Sequence, residues 1–250
     1  MNEFYVGYQS SAPPGIRRRV RLFVLFIFLL AVAGGALFAI SQQGFADSHF
    51  EYGRPAEFSG TLTLRPFPIL VVDRSGISSS DAGSAYLLVA PGKFGADSLL
   101  AGVDAKRVRL RGTLIHRPEG HMLEILPGSL TTVEGVSSPA SQFRELGAAT
   151  LTGEIVDTKC FLGVMNPGEG KVHRDCAARC LSGGIPPALV SSGLDGTARL
   201  YLLLSASGQP LAKADFLQKV GRPVSINGQV LESQGLYYIC TKAENIETLP

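Results

Sequence analysis

The sequence has little charge and no tryptophan. Of its 250 residues, 18% are charged and 45% are hydrophobic. Such a chain is too apolar to be disordered, and too mixed in composition to lie entirely within a membrane. Four of the 23 basic residues and one of the 21 acidic residues precede residue 22, which leaves 19 basic against 20 acidic residues in the remainder. This near-neutral body lacks the basic face that nucleic-acid binding requires, so we expect no nucleic-acid partner.

Several motifs that mark enzymes and cofactor proteins are also missing. There is no C-x-x-C-H for covalent haem and no C-x-x-C, which weakens a thioredoxin-like role. The loop at 166–171 departs from a P-loop because Met165 replaces the first glycine and Val172 follows Lys171, and residues 191–193 are not a G-x-S-x-G elbow. Asp73, Asp81 and Asp97 form no recognisable carboxylate pair. The sequence therefore favours a non-enzymatic protein.

One long apolar run stands near the N-terminus. Residues 22–40 carry no charge, and as a helix rising 1.5 Å per residue they nearly span the hydrocarbon core of a bilayer. The run is preceded by Arg17, Arg18, Arg19 and Arg21. The positive-inside rule then predicts a cytoplasmic segment 1–21, a single pass at 22–40 through the inner (cytoplasmic) membrane, and a periplasmic or extracytoplasmic remainder.

A cleaved signal peptide is the alternative interpretation of this run. Gly44 and Ala46 are small residues that a signal peptidase could accept just before Asp47. The run is longer than the 7–15 residues usual for signal peptides, which favours an uncleaved anchor. Under both interpretations, the rest of the chain is exported from the cytoplasm.

The exported part is predicted to be mainly β. It is rich in glycine and proline and contains short β-branched or leucine-rich runs rather than long helical periodicities. In the first half we predict a short helix at 94–100. The predicted strands of this half lie at 58–64, 69–72, 85–90, 107–115 and 121–126.

The second half repeats the order of the first. The matching segments are 59–62 with 152–155, 86–89 with 201–204, 108–112 with 224–228, and 120–125 with 235–239. The first pair is offset by 93 residues and the others by 114 to 116. In the second half, residues 213–221 occupy the position that corresponds to the short helix predicted at 94–100 in the first. Four matches in order indicate a tandem repeat.

Each repeat suits a small five-stranded barrel of the OB type, because closing a sheet removes its exposed edges. We therefore predict a transmembrane helix followed by two tandem OB-like barrels, at 41–136 and 148–250, joined by a linker at 137–147. The offset between matching segments rises from 93 to about 115 residues after the first match, so the second barrel contains about 22 residues that the first lacks. This Cys/His insertion, at 157–187, is where a binding surface is expected.

The four cysteines, Cys160, Cys176, Cys180 and Cys240, all lie in the second repeat. In an oxidising compartment an even number predicts disulfides. We expect Asp175 to cap a short helix that carries Cys176 and Cys180. Their Cβ atoms would then lie about 5–6 Å apart, too far for a disulfide between them, so each would pair with Cys160 or Cys240.

A metal site is the sharper alternative. Cys160, His173, Cys176 and Cys180 together offer three sulfur atoms and one nitrogen, a set that zinc or copper can accept. A reactive or redox-cycling cysteine pair is a third possibility. Asp157 and Lys159 either tune a cysteine or, as the more common role, keep an edge strand soluble. His116 and His121 flank a hairpin tip, where a solvated end is favoured over a weak metal pair.

The insertion carries a resemblance to a known group of proteins. The segments Gly153-Glu-Ile-Val-Asp157-Thr-Lys-Cys160 and His173-Arg-Asp-Cys176-Ala-Ala-Arg-Cys180-Leu-Ser-Gly183-Gly184 resemble a pattern, G-x-[IV]-x-D-x-x-C…H-x-x-C-A-x-x-C-x-x-G-G, found in poorly characterised bacterial membrane-anchored exported proteins. The resemblance implies small OB-like barrel domains in the cell envelope.

Two functions follow as predictions. The first is a non-enzymatic, membrane-anchored accessory module that presents a disulfide-stapled loop to a membrane or respiratory partner protein. The second is a protein that handles a metal or haem through the Cys/His cluster, with zinc, copper or haem as the candidate cofactor.

Overall fold

The computed structural model describes residues 11–42, 44, 46–72, 85–134, 142–192 and 196–250. They fall into two units, Met1–Phe45 and Ala46–Pro250. The described residues of the first unit contain one helix, α1 (Pro14–Ser41), in which no residue is buried. Its length and composition are sufficient to cross a membrane. The predicted helix is confirmed, and it begins earlier than the apolar run because Pro14 suits a first helical turn and the four arginines continue it.

The second unit begins with a barrel of five strands and two short additions. The strands are β1 (His49–Phe50), β2 (Ala56–Thr63), β3 (Ile69–Val72), β4 (Ala85–Val89), β5 (Arg107–Arg117), β6 (Gly120–Ile125) and β7 (Thr131–Thr132). Strands β2, β3, β4, β6 and β5 follow one another around the barrel, and β5 pairs with β2 to close it. Strands β4 and β6 are parallel, and the other pairs are antiparallel.

A second barrel repeats this order. Its strands are β8 (Arg144–Asp157), β9 (Pro187–Ser192), β10 (Ala198–Ser205), β11 (Pro223–Ser233), β12 (Leu236–Thr241) and β13 (Ile246–Thr248). Around this barrel they follow one another as β8, β9, β10, β12 and β11, and β11 pairs with β8 to close it, with a parallel pair at β10–β12. The short helix α3 (Lys213–Phe216) lies between β10 and β11.

The two tandem OB-like barrels predicted from the repeat are confirmed. The matched glycines Gly60 and Gly153 occupy equivalent sites in the two barrels. A Cβ on either one would collide with a backbone carbonyl of the neighbouring strand, at Val71 and Val190 respectively. Of the linker predicted at 137–147, residues 137–141 lie outside the described part of the chain, and β8 begins at Arg144.

The predicted helix at 94–100 is wrong. The segment forms hydrogen-bonded turns, such as the bond from the Leu99 N–H to the Ala96 carbonyl, and its first residues pair elsewhere. The Gly95 N–H donates to the carbonyl of Gly183, 3.0 Å away in the second repeat. A short helix has little stability of its own, so this long-range contact decides the conformation.

The insertion leaves the second barrel at the end of β8 and returns at the start of β9, as expected. It contains a helical turn, Cys160–Val164, and helix α2 (Arg174–Ser182). The expected cap at Asp175 is wrong: His173 precedes the helix, and Asp175 lies within its first turn, where a carboxylate favours the positive end of the helix dipole.

The insertion packs between the two barrels rather than extending away from them. Phe161 and Leu162 of the helical turn belong to one buried cluster that also holds Leu87 and Met122 of the first barrel and Leu202 of the second. Burying a large apolar side chain contributes about 1.5–3 kcal/mol, so this shared cluster holds the two barrels and the insertion together.

Candidate metal centre

Three of the four cysteines meet inside the insertion. Cys160 opens the helical turn directly after β8, while Cys176 and Cys180 lie one turn apart on the same face of α2. Their three sulfur atoms lie within 4.8 Å of one another. The Cys160 and Cys180 sulfurs are 3.9 Å apart, and both residues are buried, whereas Cys176 is half-buried.

Asp157 organises one side of this cluster. Its Oδ1 accepts the backbone N–H of Cys160 at 2.8 Å, and its Oδ2 lies 3.0 Å from Nε2 of His173. Asp157 and His173 are both buried. Asp157, Cys160 and His173 form a second group of possible ligand atoms within 4.8 Å. Of the four predicted metal ligands, the three cysteines therefore form one group of sulfur atoms. The fourth, His173, lies beside Cys160 and is hydrogen-bonded to Asp157.

Lys93 of the first barrel closes the other side. Its ammonium nitrogen lies 2.8 Å from the sulfur of Cys176 and 3.8 Å from that of Cys180. A positive charge at this distance stabilises negative charge on the sulfur atoms. The cluster therefore requires both barrels: one supplies the sulfurs and the other a compensating cation.

Lys159 fixes the loop that carries Lys93. Its buried ammonium group donates to the carbonyls of Ala90 and Gly92, at 2.9 and 2.6 Å, and pairs with Glu124 at 2.5 Å. A buried lysine must be paired in this way, because an isolated charge in the interior is very costly. The interpretation of Asp157 and Lys159 as residues that keep an edge strand soluble is wrong, since both lie in the interior.

The glycine pair that ends α2 lets the Lys93 loop approach closely. The φ of Gly183 is −75°, a value that any residue adopts, but a Cβ there would overlap the carbonyl oxygen of Lys93. A Cβ on Gly95 would likewise overlap the Gly184 carbonyl. The G-G in the sequence pattern therefore serves the contact between the two barrels.

The hydrogen bond between Cys160 and Cys180 makes the two sulfurs chemically unequal. That bond, reinforced by burial, raises the pKa of Cys160. The same bond, together with the positive charge of Lys93, lowers the pKa of Cys180 to about 7 despite its burial. Of the two cysteines, Cys180 is therefore the one that ionises first, while Cys160 keeps its proton.

Cys240 lies outside this cluster. It sits on β12 opposite Gln229 of β11 and Leu204 of β10, and burial raises its pKa. It belongs to neither group of possible ligands among the described residues. The predicted disulfides of Cys176 and Cys180 with Cys160 or Cys240 stay a prediction: the geometry brings Cys160 near Cys180 and leaves Cys240 apart.

The spacing of the Cys160 and Cys180 sulfurs matches that expected for two ligands of one metal ion. With Zn–S bonds of about 2.3 Å, tetrahedral geometry places two sulfur ligands about 3.8 Å apart, whereas a disulfide requires about 2.05 Å. The 3.9 Å between the Cys160 and Cys180 sulfurs corresponds to the first value. Thiolate clusters of this kind prefer copper(I) and zinc.

Sequence reasoning found the three sulfurs but missed Lys93 and the structural roles of Asp157 and Lys159. The G-x-[IV]-x-D-x-x-C pattern, which places Asp157 three residues before Cys160, is the one sequence feature that links Asp157 to the cysteines. No local pattern marks Lys93, since its role depends on how the barrels pack.

Comparisons of the chain with protein-family models, curated proteins and solved structures find no match. The resemblance to bacterial membrane-anchored exported proteins therefore stays a prediction.

Proposed function

We propose that this chain is a membrane-anchored, extracytoplasmic accessory protein that binds a thiolate-preferring metal ion, copper(I) or zinc, through Cys160, Cys176 and Cys180. The observation that carries the proposal is the convergence of three sulfur atoms beside a cation from the other barrel. Three thiolates and a divalent ion carry a net charge of −1, and three thiolates with a monovalent ion carry −2. The ammonium of Lys93 offsets part of either charge.

The haem alternative is less well supported than copper or zinc. The histidine available to such a ligand, His173, is buried and bonded to Asp157. In metal sites a carboxylate commonly orients a histidine or another ligand in this way. Asp157 would therefore serve to hold both Cys160 and His173 in position.

Metal analysis tests this function directly. The full chain, purified in detergent with its cysteines reduced and without chelators, should contain one copper or zinc ion per molecule. C176S and C180S should lose it, while C240S, a matched change outside the cluster, should retain it. The proposal is wrong if the two cluster variants keep the wild-type metal content, or if the reduced wild-type chain holds no metal.

A specific observation also favours the accessory-module prediction as a second function. Cys160 and Cys180 are buried and Cys176 is half-buried, but the tip of the insertion between the helical turn and α2 exposes Met165 and Val172, the latter 86% exposed. Single exposed apolar side chains are common, so the proposal that these two contact a partner rests on their shared place at the tip of the insertion. Replacing both with serine should weaken crosslinking to a partner in native membranes and leave the metal content unchanged.

The membrane topology forms part of the same proposal. The four arginines before the apolar run of α1 favour a cytoplasmic N-terminus and an exported C-terminus. A reporter active only outside the cytoplasm, fused after Pro250, should be active. A cytoplasmic reporter at the same position should be silent, and the reverse result would exclude the topology.

A further inference from the structure

Three of the four histidines of the chain lie side by side on one face of the first barrel. The register of the sheet pairs His49 of β1 with His116 of β5, and His116 with His121 of β6. The ring centres of His49 and His116 are 5.2 Å apart, and those of His116 and His121 are 6.3 Å apart. The rings are nearly parallel, with angles of 28° and 14°.

The sheet sets this arrangement through a very short strand. β1 contains two residues, and Phe50 pairs with Ile115 beside the His49–His116 pair. The backbone of His49 lies against Gly163 of the insertion so closely that a Cβ on the glycine would overlap the His49 carbonyl. The backbone of the histidine row is therefore held firmly, while the His49 side chain remains 61% exposed and that of His116 34% exposed.

Two carboxylates stand beside the imidazoles. Oδ1 of Asp47 lies 2.9 Å from Nε2 of His49, and Oε1 of Glu51 lies 3.9 Å from Nε2 of His116. The imidazoles of His49 and His116 and the carboxylate of Glu51 line one open groove with Tyr52 and the cation Arg54. Asp47 is not part of that lining and joins the group through its contact with His49.

The spacing of the first histidine pair matches that of two ligands of one metal ion. With metal–nitrogen bonds of about 2.0–2.1 Å, two imidazoles in tetrahedral geometry have ring centres about 5 Å apart. The His49–His116 separation of 5.2 Å has this value already. To bind one ion, both rings must turn away from their carboxylate contacts until a nitrogen of each faces it, and exposed side chains turn readily.

We infer that His49 and His116, with Asp47 and Glu51, form a second metal site that binds a borderline divalent cation such as zinc, nickel or cobalt. Imidazole and carboxylate ligands suit such ions, whereas the sulfur cluster suits softer ones. His121 lies next in the row and supplies a third imidazole within one ring spacing of His116. The inference does not depend on the sulfur cluster, because the two sites share no residue.

Cobalt(II) separates the two sites by their spectra. Cobalt bound by thiolates shows an intense charge-transfer band in the near ultraviolet, whereas cobalt bound by nitrogen and oxygen shows only weak visible bands. Titration of the reduced full chain in detergent should therefore reveal two equivalents, one with and one without the charge-transfer band.

The double variant H49Q H116Q should bind the second equivalent at least 10-fold more weakly and keep the charge-transfer band. Y52F, which alters the same groove without removing a ligand, should behave as wild type, and circular dichroism should show that all variants are folded. A wild type that lacks the weak-band equivalent, or a double variant that binds it unchanged, overturns the inference. A missing charge-transfer band would count against the sulfur cluster alone.

Discussion

The ammonium nitrogen of Lys93 lies 2.8 Å from the sulfur of Cys176, although 83 residues separate them in the chain. The loop around Lys93 is held by Lys159 and by the glycine pair after α2, so the contact is built into the packing of the two barrels. Its consequence is electrostatic, because Lys93 is the cation that faces the sulfur cluster.

Removing this cation should shift the titration of the cluster in the metal-free protein. The hydrogen bond from Cys160 and the charge of Lys93 together lower the pKa of Cys180 to about 7. In K93Q the bond remains but the charge is lost, so the ultraviolet absorbance of the thiolate should appear at higher pH. K93R, which keeps the charge, should titrate close to wild type. A K93Q midpoint equal to that of wild type would show that Lys93 does not act on the sulfurs.

The contact between the Lys93 loop and the end of α2 should not tolerate a side chain at Gly183. In G183A the new methyl group would overlap the Lys93 carbonyl, and forcing an atom into a packed site costs about 1–3 kcal/mol. Chemical denaturation should show that loss. The matched change G44A, at a glycine with nothing within 4 Å of an added Cβ, should leave the unfolding free energy unchanged.

Asp157 should matter for the metal although it is not among the three sulfur ligands. It fixes the backbone of Cys160 and the ring of His173 with its two oxygens. D157N replaces one acceptor with a donor, and loss of such a supporting partner typically lowers metal affinity about 10–100-fold. Competition with a chromophoric chelator measures this affinity. D175N, the same change at the exposed first turn of α2, should bind as wild type, and equal affinity in D157N would contradict the role of Asp157.

The parts of the structure that follow from short-range patterns were predictable. The run at 69–72 is apolar and bounded by breakers, and it forms β3 (Ile69–Val72) with those limits. The four-residue spacing of Cys176 and Cys180 placed both on one helix face. Repeat matching revealed the two barrels because equivalent strands carry equivalent glycines.

The parts that depend on packing between the barrels were not predictable. A lysine is expected at the surface, and only the partners Glu124, Ala90 and Gly92 make the burial of Lys159 tolerable. The segment at 94–100 was predicted to be helical, yet the N–H of Gly95 donates to the carbonyl of Gly183 in the other barrel. Such long-range contacts leave no trace in local sequence patterns.

The carboxyl of Glu154 offers a test of how the insertion is held at β8. Burial raises its pKa, although its Oε1 accepts the backbone N–H of Gly170 at 2.6 Å, a bond that favours the charged form. An acid whose pKa rises on folding contributes stability below its unfolded pKa, near 4.5, and that contribution is lost as the pH rises through the raised value.

E154Q removes the titration and retains an oxygen that can accept the Gly170 N–H. The unfolding free energy of E154Q minus that of wild type should therefore increase between pH 4 and pH 7. Chemical denaturation of the full chain in detergent at both pH values, followed by circular dichroism, measures this difference. A difference that decreases with pH would mean that the bond from Gly170 outweighs burial and that the folded protein prefers the ionised carboxylate.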